Sequence, residues 1–410
     1  MIRRAAAAAV LLACGAVVPA APAVESTPQP APRPSATATG EVCTVDQERL
    51  VDQEPAVMSL LGVADAWELS RGGVVVAVVD TGVDATNVHL GDAVLPGTDL
   101  LDGGDGRTDG SGHGTAVAGQ IAARRVAGSG VVGVAPDSLI LPVRVYEDSS
   151  DEATRAGRGP DASRTAQGIR WAADNGAVII VVPQSTLSDV DDLRSAVEYA
   201  TSAGSLVVAS AGNVTSRNED AGAVRFPAGY PQVLSVTAVD ANGLPSDAVV
   251  HGTHVEVAAP GARILTTFRG AGDCMLAADS PATSFATGYA GAIAALVAAA
   301  HPDETPADWE YRIAATALRP SPSVRTTTLG WGIIAPYTAL NFINDGTMAG
   351  PVNPRFAPAA SAAPVFMARP PEEVDTAGPE RRRMVTLLGV GSAMTVIGLL
   401  LIARLRQDRP

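Results

Sequence analysis

The chain contains no lysine. All 29 basic residues are arginine, set against 43 acidic ones for a formal charge of −14. No basic stripe interrupts this acidity outside the two ends, which argues against a nucleic-acid partner, since that needs a concentrated positive face. Aromatic residues are scarce as well, at 4% of 410 residues, so the core that 47% apolar residues imply must be packed from Val, Ala, Leu and Ile. Histidine occurs only five times, at 89, 113, 251, 254 and 301. The pair in "VVHGTHVEV" (His251, His254) has no third ligand in sight and reads as surface or strand residues. The acidic run "DGGDGRTDG" (102–110) does not have calcium-loop spacing. No metal and no cofactor are expected.

The two ends have their own character. Arg3 and Arg4 precede the apolar run "AAAAAVLLACGAVV", and "APA" at 21–23 offers a small-residue cleavage site, so residues 1–23 read as an export signal. "LLAC" also permits a lipoprotein reading at Cys14, but Leu12 is bulky for that motif and cleavage near Ala23 is preferred. At the other end, Met384 to Ala403 is 20 residues without a charge. At about 1.5 Å per residue it reaches roughly 30 Å, the thickness of a bilayer core. Arginines flank it on both sides, so charge bias does not orient it. Export of the body does, placing the body outside the cytoplasm and the short tail inside.

The resulting division is a signal (1–23), a Pro/Ala/Thr-rich linker (24–42), a body (43–346), a Pro-rich stalk (347–383), a membrane-spanning helix (384–403) and a cytoplasmic tail (404–410). Cys14 leaves with the signal. Cys43 and Cys274 remain, and two cysteines in an oxidising compartment suggest one disulfide, with two buried thiols as the alternative.

Within the body, continuous Val-rich runs alternate with helical patterns. "GVVVAVVD" (73–80), "LILPVRV" (139–145), "VIIVV" (178–182), "SLVVASAGN" (205–213) and "VLSVTAV" (233–239) read as strands buried on both faces. "GTAVAGQIAA", "TAQGIRWAADNGA" and "DDLRSAVEYATSAG" read as the helices between them, the last two ending in Gly. This alternation predicts an α/β fold, a mostly parallel sheet with helices on both faces. Functional groups then collect beyond the carboxyl ends of the strands. The polar stretch 146–165 reads as an exposed loop.

Asp80 ends the first Val run, where an Asp-x-Gly turn is the ordinary explanation. His113 stands between glycines in "DGSGHGTAVAG", at a helix start. Asn213 ends "ASAGN", where a turn Asn is common. Ser284, in "PATSFATGYAGAIAALVAAA", heads an alanine-rich helix and by itself is most simply a cap. Together the four compose a serine-hydrolase set: an Asp to orient a His, a His to take the proton of Ser, and an amide for the oxyanion.

Those four stretches resemble the signatures of subtilisin-like serine proteases, in the same Asp, His, Ser order, and "FPAGYPQVLSVTAVD" and "VAAPGARI" resemble the strands that link the last two. The arm "QEPAVMSLLGVADAWELSRG", the export signal, the proline-rich stalk and the C-terminal span further resemble the mycosins, membrane-anchored subtilisin-like proteases of type VII secretion systems. The resemblance implies a serine endopeptidase with catalytic Asp80, His113 and Ser284, and with Asn213 and the Ser284 N–H as oxyanion donors. Its partners would be a protein or peptide substrate, a type VII secretion membrane complex and the lipid bilayer. A structural subunit of that complex, with weak or no proteolysis, is the competing expectation.

Two positions beside Ser284 depart from the family pattern, Ala282 in place of Gly and Gly288 in place of Pro. If the glycine served a left-handed backbone angle, Ala282 would cost roughly 1–2 kcal/mol and displace the Ser284 N–H. Val181 and Pro183 also depart from the usual residues of a strand that leads into the substrate groove, so the resemblance says least about substrate choice.

Overall fold

Among the described residues, seven strands lie in one sheet in the order β2-β3-β1-β4-β5-β6-β7, every neighbouring pair parallel. They are β1 (Val75–Asp80), β2 (Thr98–Asp99), β3 (Leu139–Arg144), β4 (Ile179–Val182), β5 (Leu206–Ser210), β6 (Val233–Val239) and β7 (Val257–Pro260). A hairpin of β8 (Ile264–Thr267) and β9 (Asp273–Leu276) stands apart from the sheet. The computed structural model describes residues 43, 49–215, 221–356 and 377–407. The readings of residues 1–23 and 24–42, Cys14 included, lie outside the described residues, as do residues 357–376 of the stalk.

The Val runs become central strands because both of their faces are covered. In β1, Val76 and Val78 join the core on one face of the sheet, with the helices His113–Ala122 and Thr283–Ala300. Ala77 and Val79 join the core on the other, with the helices Ala162–Asp174 and Asp191–Ser202. Every one of these four strand residues is fully buried. Side chains alternate across a strand, so a sheet covered on both faces needs apolar residues at consecutive positions, as the sequence has.

After β1 the chain builds β2 and β3 to one side and then crosses to β4 on the other. The strand order therefore reverses at β1, and crevices at such reversals are where α/β sheets bind ligands. Asp80 stands at the carboxyl end of β1, and Asn213 lies just beyond the carboxyl end of β5.

The stretch 146–165 is not the fully exposed loop its polarity suggests. Ser150 caps a short helix, Asp151–Arg155, and Tyr146 is buried at 5% exposure. Arg158 binds Asp102 and Glu147, and Arg164 donates to the carbonyls of Val145, Gly157 and Gly159. His254 is likewise buried, its Nε2 3.1 Å from the Ala211 carbonyl, contrary to the surface or strand reading.

The N-terminal arm is tied to the hairpin. Arg49 pairs with Gly272, Val51 N donates to Asp273 Oδ2 at 2.8 Å, and Cys43 is disulfide-bonded to Cys274 with Cα atoms 5.8 Å apart. The bond spans 231 residues of sequence, and closing so long a loop in the unfolded chain removes much of its entropy. Cys43→Ser is expected to lower stability by about 2–4 kcal/mol. Reductant should then shift the thermal midpoint of the wild type but not of the variant. Equal midpoints for both proteins under oxidising conditions would contradict this.

The described C-terminal helix runs from Ala377 to Gln407, and its segment Arg381–Arg404 is long and apolar enough to cross a membrane while burying nothing against the body. Thr283–Ala300 also has the length and composition, but it is 89% buried. Its apolar residues serve the core.

Candidate active site

Asp80 is fully buried, and its carboxylate is held from several directions. Thr81 N donates to Oδ1 at 2.7 Å, Tyr146 OH donates to Oδ2 at 3.3 Å, and His113 Nδ1 lies 2.9 Å from both oxygens. Beside a carboxylate, Nδ1 carries the proton, which leaves Nε2 on the far side of the ring as an acceptor. His113 opens its helix, and the glycine after it permits this contact. A Cβ on Gly114 would fall 2.1 Å from the Gly82 carbonyl and 3.2 Å from Asp80 Oδ1.

Asp109 organises the same loop. It is 4% exposed, and its carboxylate accepts from Thr81 Oγ1, Ser111 N, Gly112 N, Thr115 N and Thr115 Oγ1. Burial pushes its pKa up, although the hydrogen bonds from Thr115, Gly112 and Thr81 oppose this. The acidic run that matched no cation loop thus contributes a carboxylate that fixes the backbone leading into His113.

The His113 side chain is 24% exposed, facing the cleft. Burial alone would favour its neutral form. The charge of Asp80, the hydrogen bond to it and the charge of Asp109 outweigh that and raise its pKa above the ordinary 6.5. The buried Tyr146 is held neutral, first by burial and then by the negative charge of Asp80.

Ser284 is the second residue of its helix and 8% exposed. The next residue, Phe285, sets its ring 5.5 Å from that of His113. Among the described residues no hydrogen bond joins Ser284 to His113, and such bonds commonly tighten only when substrate is bound. Gln120, on the His113 helix, donates through Nε2 to the Phe285 carbonyl at 2.9 Å and braces the two helices together. Gly288 makes room for it: a Cβ there would lie 2.5 Å from Gln120 Oε1. The feared strain at Ala282 is absent. Its φ of −127° and ψ of 130° are ordinary extended values, so an alanine fits without cost.

Asn213 accepts at Oδ1 from Thr283 N at 2.9 Å and Thr283 Oγ1 at 3.0 Å. A backbone N–H can only donate, so the amide oxygen must face Thr283, and the Nδ2 donor is the atom left to point elsewhere. Asn213, Ser284, His113, Tyr146, Ser210 and Arg225 all line one cleft of about 480 Å³. Asp80 adjoins it behind His113. The four residues singled out in the sequence therefore meet at one place. Tyr146, Asp109, Gln120 and Arg225 were not singled out. Among the described residues no group of three or more His, Cys, Asp or Glu side chains is placed to hold a metal ion.

Residues 71–333 match the Subtilase family (Peptidase S8). Mycosin-1 of Mycobacterium tuberculosis is 32% identical over 399 residues, covering 85% of this chain and 84% of that protein. Thermitase of Thermoactinomyces vulgaris is 36% identical over 230 residues, 56% of this chain and 78% of thermitase. Among solved structures, the MycP3 protease from the type VII (ESX-3) secretion system superposes with a TM-score of 0.62 at 30% identity, covering 72% of this chain and 92% of that one.

Proposed function

The chain belongs to the subtilase family of serine proteases and is related to the mycosins, and on that premise we propose that it is an endopeptidase of a type VII secretion system, working through Asp80, His113 and Ser284. The observation that carries this reading is the buried Asp80 carboxylate bonded to His113 in a cleft that Ser284 and Asn213 also line. His113 Nε2 takes the proton of Ser284 as Oγ attacks a peptide carbonyl. The carbonyl oxygen, now negative, receives hydrogen bonds from Asn213 Nδ2 and the Ser284 N–H. His113, positively charged beside Asp80, then gives its proton to the leaving amine, and water hydrolyses the acyl-enzyme by the same steps.

In the same reading the Arg381–Arg404 segment anchors the protein in a bilayer with the protease body outside the cytoplasm and the tail within. The apolar length of that segment and the export signal of the sequence support it.

The base must be neutral to act, and its pKa is raised. The rate of labelling by an alkyl fluorophosphonate should therefore rise with pH, with a midpoint above 6.5, as His113 loses its proton. The same shift stabilises the fold below about pH 6.5 and is lost as pH rises through the raised value. Labelling measured on the full chain in detergent between pH 5 and 9 tests this. A rate independent of pH, or unaffected by His113→Ala, would count against His113 as the base.

A further inference from the structure

We infer that Tyr146 is a positioning residue for the triad: its hydroxyl holds the Asp80 carboxylate against His113 and lowers the pH at which the protease switches on. This rests on the reading of Asp80, His113 and Ser284 as the catalytic set.

The sheet carries Tyr146 to Asp80. β3 runs parallel to β1 with Arg144 opposite Asp80, and Val145 N donates to the Asp80 carbonyl at 2.8 Å. The next residue therefore lies just past the carboxyl end of β1. The backbone on either side of it is fastened. The Val145 carbonyl accepts from Arg164 Nε at 2.6 Å, and Glu147 N donates to the Arg158 carbonyl at 2.8 Å. The ring itself belongs to the core that covers the second face of the sheet. A phenylalanine would pack there as well, and a buried hydroxyl is costly unless it finds a partner. Among the described residues the acceptor that Tyr146 OH finds is Asp80 Oδ2, at 3.3 Å.

That contact completes the grip on the carboxylate. Thr81 N holds Oδ1 at 2.7 Å and Tyr146 OH holds Oδ2, so neither oxygen is left to His113 alone. With each oxygen held, the plane of the carboxylate is set, and His113 Nδ1 lies 2.9 Å from both.

The second donor also bears on the charge of His113. The carboxylate has no counter-ion while His113 is neutral and gains one when the ring is protonated. A donor from Tyr146 therefore stabilises the state with neutral His113 more than the ion pair, and the ring gives up its proton at lower pH. The other influences on His113 are burial, which favours the neutral ring, and Asp109 from the loop before it, which favours the charged one. Phe285 faces it with an uncharged ring, and Arg225, which also lines the cleft, is common to every variant tested. Burial and then the negative charges of Asp80, Asp109 and Asp148 keep the Tyr146 phenol protonated, so it stays a donor.

The test compares pH–rate profiles for labelling of the full chain in detergent by an alkyl fluorophosphonate, from pH 5 to 9. Tyr146→Phe keeps the ring and removes the donor. Its midpoint should lie about 0.5–1 pH unit above that of the wild type, which makes labelling on the acid side about 3- to 10-fold slower. The alkaline plateau should stay within about threefold. A fluorotyrosine in place of Tyr146 keeps the hydroxyl, makes it a stronger donor, and should move the midpoint the other way. An unmoved midpoint in folded Tyr146→Phe, or a fall in rate that is equal at every pH, overturns the inference. So does a fluorotyrosine midpoint that is unmoved or higher, and that variant decides alone where Tyr146→Phe does not fold. If the wild type labels with a midpoint that depends on His113 while the variants leave it in place, only this inference falls. If the wild type takes up no label, the catalytic reading falls with it.

Discussion

Alanine in place of Ser284 should abolish peptide hydrolysis while leaving the fold intact. The expected loss in kcat is about 10⁶-fold, the size seen when a subtilisin loses its nucleophile. Removing the hydroxyl disturbs little else. Among the described residues no side-chain hydrogen bond from Ser284 is lost, and the helix it sits in is fixed by the Thr283 contacts to Asn213 and Ser210 and by Gln120. The thermal midpoint should therefore move little. Turnover of a fluorogenic peptide within tenfold of the wild type would show that Ser284 is not the nucleophile.

Asp80→Asn should cost about 10⁴-fold in kcat, the fall recorded for this change in another Ser-His-Asp site. The reason lies in the hydrogen bonds around the carboxylate. Thr81 N and Tyr146 OH both donate to it, so it faces donors on each side, and His113 Nδ1 sits 2.9 Å from both of its oxygens. An asparagine must turn its NH2 toward one of these partners. If it turns toward His113, the ring holds its proton on Nε2 and can no longer accept from Ser284. The imidazolium formed during reaction also loses its counter-charge. Steady-state kinetics on the folded variant would read this, and a loss below tenfold would mean that Asp80 is only structural.

The sheet was legible because its physics is local. A strand covered on both faces must be apolar at every position, and "VLSVTAV" is strand over the same seven residues, Val233–Val239, that the pattern marks. Asp80, His113, Asn213 and Ser284 were legible only as a set, since each alone has an ordinary local explanation. Geometry adds what spacing could not: His113, Asn213 and Ser284 line one cleft, and Asp80 is bonded to His113.

What stayed hidden depends on contacts between distant segments. Tyr146 is 66 residues from the Asp80 it touches, and it opens a stretch so polar that exposure was the natural expectation. Asp109 lies in a run of glycines and acids whose composition suggests a solvated loop, yet it turns inward onto five donors. Gln120 and Gly288 explain each other only once their helices are packed. Ala282 illustrates the opposite error. A departure from a family pattern suggested strain, but the backbone there has an angle open to any residue.

The most direct measurement is to treat the full chain in detergent with a fluorophosphonate probe, digest it, and map the phosphonylated residue by mass spectrometry. The account predicts a single adduct, on the peptide containing Ser284, that is missing from the Ser284→Ala and His113→Ala variants. A folded protein that takes up no probe, or takes it up on another serine, would contradict it.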